Sequence, residues 1–173
     1  MKLSEKTLEL NICAQWTSLP PWAPCLWFGL TQLQEARAGF DVCSRIGAKL
    51  LILQFKASNH FVRKVRRFHA PHRQLQALQN NVRISARQIF YVLPDLGSTV
   101  DLAASPKVLG RTWLLDVAQI PKPMPAPMTS WGTLRKSGIH YIDIHPGTSP
   151  PHATMYLEPH DVPIISVLQL IEA

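Results

Sequence analysis

Leu8 and Ile12, with Gln15-Trp16 beyond them, follow Ser4 at helical spacing, which predicts an amphipathic helix from Ser4 to about Gln15 with Ser4 as its N-cap. The next apolar stretch, Leu19 to Leu30, is broken by Pro20, Pro21 and Pro24. It reads as a connection with one short strand near Leu26-Trp27-Phe28, in which Trp22, Trp27 and Phe28 serve as core plugs. Two runs then read as a hairpin, Phe40 to Ile46 and Lys49 to Lys56, with Gly47 near the turn. Leu50 to Leu53 is apolar without interruption, as expected of a strand covered on both faces at the centre of a sheet. Ala57 to Ala70 shows no periodicity and reads as a mobile loop. Pro71 suits the first position of a helix that carries Leu75 and Leu78 and stops at Asn80-Asn81, and Gln88 to Leu93 is a further strand ending at Pro94. Beyond it, Thr112 to Ala118 and Ile139 to His145 read as strands separated by a proline-rich loop, Pro121 to Met128. Asp161 reads as the cap of a last short helix through Leu170.

The order helix, hairpin, helix, strand predicts an α/β fold with a mixed β-sheet flanked by helices. It forms a single domain with a core over residues 1–94 and additional C-terminal strands over 95–173. A chain of 173 residues, 46% hydrophobic and 17% charged, is long enough to bury a core and is globular in composition. Cys13, Cys25 and Cys43 are odd in number and widely spaced, which is no disulfide framework and fits a reducing cytoplasm. Glu5 and Glu9 stand where a secretory signal would be basic and then apolar, and no stretch approaches the roughly 20 apolar residues of a membrane helix. No membrane is expected.

Charge sharpens this picture. The net charge is +7, yet between Val42 and Pro94 there is no Asp or Glu at all, while ten of the 18 basic residues fall there. Such a polarised field attracts polyanions, so nucleic acid is the first partner to expect, DNA before RNA. Arg63, Lys64, Arg66, Arg67 and Arg73 form the cluster suited to gripping a phosphate backbone, with Phe61 and Phe68 available to stack on bases. A solvated cationic face is the plainer explanation of the same charges.

One constellation carries chemistry. Gly39-Phe40-Asp41 is followed, after twelve residues, by Gln54-Phe55-Lys56 at the end of the apolar run. Gln54 and Lys56 share a strand face while Phe55 turns to the other, and a turn near residue 47 brings Asp41 beside Gln54 across the hairpin. An acid, an amide oxygen and an ammonium then converge. Mg²⁺ or Mn²⁺ takes carboxylate and carbonyl oxygens, so Asp41 can anchor such an ion, with the Gln54 carbonyl as a neutral second ligand and the Phe55 backbone carbonyl as a third. Lys56 can orient a water or hold charge developing on a phosphate. A simple Asp41–Lys56 ion pair is the alternative reading of the same residues.

This Asp, twelve residues, Gln-x-Lys pattern on an apolar strand resembles the PD-(D/E)xK nuclease superfamily in its Gln-x-Lys variant. The order of elements is similar to that superfamily's restriction-endonuclease-like core, over Ser4 to about Leu93. The resemblance implies a metal-dependent endonuclease acting on DNA, with Asp41 and Gln54 as metal ligands and Lys56 as the catalytic lysine. It implies restriction or defence as the setting. It also implies a further acid from the first helix, for which Glu9 is the candidate with Glu5 behind it, and Glu35 as a third option. Phe40 stands where the superfamily usually has proline, and Gln54 replaces its second carboxylate. Some superfamily members have lost catalysis, so the alternative is an inactive nucleic-acid-binding or protein-interaction module in a larger complex; a homodimer or a subunit of a larger complex is the assembly expected.

The remaining motifs exclude more than they offer. Seven histidines match no zinc spacing with the cysteines, and there is neither a Gly-x-Ser-x-Gly elbow nor a phosphate-binding glycine loop. Asp95, Asp101 and Asp116 read as caps and turns.

Overall fold

The computed structural model describes residues 1–20, 25–46, 48–58, 60–82, 87–105, 107–121, 139–156 and 160–172. Trp22, Gly47 and the 122–128 part of the proline-rich loop lie outside them. Ser4 caps the first helix as its position predicts: its Oγ accepts the Thr7 N–H at 3.0 Å, and α1 runs Glu5–Thr17, burying Leu8, Ile12, Cys13 and Trp16. The short strand β1 is Phe28–Gly29. Trp27 packs on the Trp16 ring at 5.5 Å, but Phe28 is not a core plug: at this edge strand it is 58% exposed.

A second helix, α2 (Gln32–Ala38), was not predicted. Thr31 and Gln34 form a capping box at its start, and Gly39 ends it at φ +81°. A Cβ at Gly39 would lie 2.9 Å from the Ala77 Cβ, so the close approach and the left-handed backbone both require glycine there. Next come β2 (Val42–Ile46) and β3 (Lys49–Phe55), paired with Val42 opposite Leu53.

Residues 57–70 are not a loop. They contain β4 (His60–Val62) and β5 (Val65–Pro71), a hairpin whose alternation buries Arg66, Phe68 and Ala70 while turning His69 outward. The period was hidden because an inward position is arginine. Pro71 closes β5 opposite Ile139 instead of opening the helix, at a strand end where its missing N–H does little harm, and α3 is His72–Val82. There follow β6 (Arg87–Pro94), α4 (Thr99–Ala104), β7 (Thr112–Asp116), β8 (Ile139–His145) and β9 (His152–Tyr156). Asp161 caps no helix. It lies in β10 (His160–Ser166) opposite Thr154, whose hydroxyl donates to its carboxylate at 2.7 Å, and the last helix, α5, is Val167–Glu172.

All ten strands join one mixed sheet in the order β1-β2-β3-β6-β7-β10-β9-β8-β5-β4, flanked by helices. The pair β3–β6 is parallel, and every other pair is antiparallel. β10 pairs with β9 through residues 160–163 and with β7 through 164–166, so it serves both halves of the sheet. One core unites both halves with α3, through Ile52, Ile89, Leu115, Phe68, Ile142 and Leu75. The other lies on the opposite face of β3 and β6, where Leu53, Phe55 and Val92 meet Leu8, Ile12 and Trp16 of α1. Leu50 to Leu53 thus belong to a strand flanked by β2 and β6 and packed on both faces, as their unbroken apolar run predicts. Among the described residues no helix is long and apolar enough to cross a membrane.

Candidate active site

The hairpin register brings Asp41 to the end of β3. Its backbone N–H donates to Leu53 O at 3.1 Å, and its Oδ2 accepts both the Phe55 N–H at 2.6 Å and the Gln54 Nε2 at 2.8 Å. Gln54 Nε2 also donates to Phe55 O at 3.0 Å. Both partners of that nitrogen are acceptors, which fixes the amide orientation: Gln54 Oε1 faces elsewhere, buried and without a hydrogen-bond partner. Tyr91 is the register partner of Gln54 on the neighbouring strand β6, and its hydroxyl is likewise buried and unpartnered. Burial pushes the Asp41 carboxyl up to about 6, and the Glu5 charge adds to this, against the Phe55 N–H, the Lys56 charge and the Gln54 amide.

Lys56 continues the β3–β6 pairing through its N–H to Val92 O at 3.0 Å. Its side chain is buried, and the ammonium pairs with Glu5 Oε1 of α1 at 3.3 Å. The ion pair found is therefore Lys56–Glu5 rather than Asp41–Lys56. One turn along α1, Glu9 is buried and accepts Lys6 Nζ at 2.6 Å. A cavity of about 490 Å³ opens between α1 and α2, and Glu5, Glu9, Glu35 and Asp41 all line it, together with Lys6 and Thr31. The three acids that the sequence offered as alternatives thus share one cavity with Asp41. Each carboxylate keeps its own protein partners or faces solvent, and among the described residues no three His, Cys, Asp or Glu side chains gather as a ready-made ion cage.

The basic cluster divides into two kinds. Arg66 is buried: its Nε donates to Asp95 Oδ1 at 2.8 Å, its Nη1 to Ser58 O at 2.8 Å, and its guanidinium lies 4.3 Å from the centre of the Phe61 ring. Arg67 makes a two-pronged bond to Asp143 on β8, both contacts at 2.7 Å, with Asp143 only 1% exposed. Arg63 and Lys64 form the exposed turn of the β4–β5 hairpin, and Arg73 is exposed on α3. Arg66 and Arg67 are thus braces of the sheet. Removing one partner of a buried pair costs about 3–5 kcal/mol, so Arg67→Ala is expected to lower stability by about that amount in urea titration. A loss under about 1 kcal/mol would show that the brace is dispensable.

Three features of this site were missed in the sequence. Lys6 is the partner of Glu9, Tyr91 is the neighbour of Gln54, and α2 forms one wall of the cavity. Two of them had a local signal: Lys6 and Glu9 stand three apart on one helix, and Thr31-x-x-Gln34 precedes Gly39. No protein-family model, curated protein or solved structure matches the chain. What the residues can do follows from their own geometry. The cavity gathers four carboxylates, and Glu5 on its lining also holds the buried Lys56 ammonium.

Proposed function

We propose that the protein is a metal-dependent endonuclease that hydrolyses DNA phosphodiester bonds, acting in the cytoplasm and built like the Gln-x-Lys nucleases its pattern resembles. The observation that carries this reading is the buried Gln54 amide against Asp41, whose nitrogen bonds the carboxylate while its Oε1 has no partner. An acceptor left unpaired inside a protein costs about 1–3 kcal/mol, and a half-turn of the amide that exchanges Nε2 for Oε1 beside Asp41 would let a divalent cation held by both residues remove that cost. Oxygen donors alone fit Mg²⁺ or Mn²⁺, with Glu9 as the acid from α1 able to complete the set. Such an ion lowers the pKa of a water and offsets phosphate charge. Hydrolysis joins a water oxygen to phosphorus as one phosphorus–oxygen ester bond breaks, the water giving up a proton and the departing backbone oxygen taking one up. Lys56, kept in place by Glu5, holds the negative charge that builds on the phosphate, while Phe55 anchors the strand in the core it shares with α1.

A second reading, a nuclease-derived binding module within a larger complex, is favoured by the raised pKa of Asp41 and by its existing bonds to Gln54 and Phe55, which make it a reluctant ligand. The two separate in one experiment on the purified protein. As a nuclease it nicks or cuts duplex DNA in Mg²⁺ or Mn²⁺ but not in chelator, and metal with DNA raises its melting temperature more than DNA alone. No cleavage, and a rise with DNA that is indifferent to metal, would leave the binding module standing instead.

A further inference from the structure

The geometry points to the β4–β5 hairpin as an arm that seats on double-helical DNA, with Arg63 and Lys64 at its tip meeting the phosphates along the major groove. This inference rests on the reading of DNA as the partner but not on cleavage. The last rung between β5 and β8 is Arg66 with Ile144, so the tip, from Val62 to Val65, reaches past the sheet. Its two central residues, Arg63 at φ +51° and Lys64 at φ +71°, lie in the left-handed region. A two-residue turn of this form favours Asn-Gly, and long side chains enter it at a conformational cost. That cost is not recovered inside the fold: both residues are exposed, and neither makes an ion pair with any described residue.

Below the tip the arm is stiff. Arg66 ties it to Asp95 at the end of β6 and to Ser58 O, and Ser58 Oγ donates to Arg67 O. Ser58 stands two residues after Lys56, so the arm is braced to the segment that leaves the candidate active site. Beside the tip a groove of about 330 Å³ is lined by Phe61, Lys64, Arg66, Asp95, His145 and Thr148. The ligand class follows from shape. The major groove of B-form DNA, about 12 Å wide, admits a two-stranded β-ribbon, whereas the deep, narrow major groove of A-form RNA does not.

The test replaces the tip by the residues its backbone prefers, Arg63→Asn with Lys64→Gly, and measures binding of a fluorescent 20-base-pair duplex by anisotropy in chelator across a salt series. The melting temperature should hold or rise, while duplex affinity falls by between tenfold and a hundredfold near 0.1 M salt and the log–log salt slope drops by about 2, two phosphate contacts being lost. Arg63→Gln with Lys64→Gln should do the same to binding. A control without two exposed charges elsewhere, Lys49→Gln with Lys107→Gln, should bind duplex within about threefold of wild type. Unchanged duplex binding by the tip variants, an equal loss in the control, or an equal loss towards an RNA duplex would each overturn the arm. The outcome is separable from catalysis: cleavage with an inert tip sinks the arm alone, and a working tip without cleavage sinks the nuclease alone.

Discussion

Asp41→Asn should make the metal-free protein more stable at neutral pH while abolishing the metal-dependent part of its stabilisation by DNA. The carboxamide oxygen can accept the same Phe55 and Gln54 hydrogens, so the local bonds survive without the buried charge. The sign follows from the raised pKa. A carboxyl moved from 3.8 up to about 6 contributes stability in full below about pH 4 and loses it as pH rises through 6. At pH 7 the buried charge therefore costs about 3 kcal/mol at most, and the substitution recovers much of it, raising the melting temperature by roughly 5–10 °C. The gain should vanish near pH 4, where both proteins carry a neutral side chain. Protons compete with metal at the same oxygens, so in the wild type the metal-dependent increment should shrink from pH 7 to pH 5. Melting curves with and without Mg²⁺ and DNA at those pH values decide it. A variant that is less stable at pH 7, or that keeps the metal increment, would remove Asp41 from the role given to it.

Lys56→Met should reduce cleavage by about a hundredfold to ten-thousandfold and leave duplex affinity within a few-fold of wild type. Methionine fills the buried space of the lysine stem, and Glu5, whose side chain is 45% exposed, returns to water at little cost. The fold is therefore expected to survive, which separates lost chemistry from lost structure. The Lys56 charge holds the Asp41 pKa down, so its removal should also move the onset of metal-dependent stabilisation to higher pH. Single-turnover cleavage of a labelled duplex, read beside a melting curve, tests both statements. Cleavage retained within tenfold would show that the ammonium is not part of the reaction.

The parts of this molecule that could be read in its sequence are those specified by neighbours along the chain. Ser4 with Leu8 and Ile12 fixes α1, and the unbroken Leu50–Leu53 run marks a strand packed on both faces. The spacing around residue 47 sets a hairpin register that puts Asp41 against Gln54. What escaped depends on partners far away. Arg66 faces inward because Asp95 waits 29 residues on, and Arg67 finds Asp143 at a separation of 76, so five clustered cations read as one phosphate-gripping set when two of them brace a sheet. β10 escaped because Asp161 and Pro163 imitate the start of a helix, whereas its pairing with both β7 and β9 is a property of the assembled sheet. The partners of the site followed the same rule. Glu5 and Glu9 were legible as candidates on a helix, but that Lys56 would bond Glu5 instead of Asp41 depends on where α1 lands.

The strand order has a consequence for how the chain is born. β4 and β5, made early, lie at the far end of the sheet, and β7, β10, β9 and β8, made late, fill the gap between them and β6. On the ribosome the first half therefore emerges with β5 and β6 each lacking a neighbour; β7 can cover β6 once residue 116 is made and β8 can cover β5 after residue 145, but the two halves join only when β10, ending at Ser166, lies between β7 and β9. Closure over such sequence distances is slow, and exposed edges invite aggregation meanwhile. Production of the protein should accordingly depend on chaperones and low temperature far more than its modest size would lead one to expect.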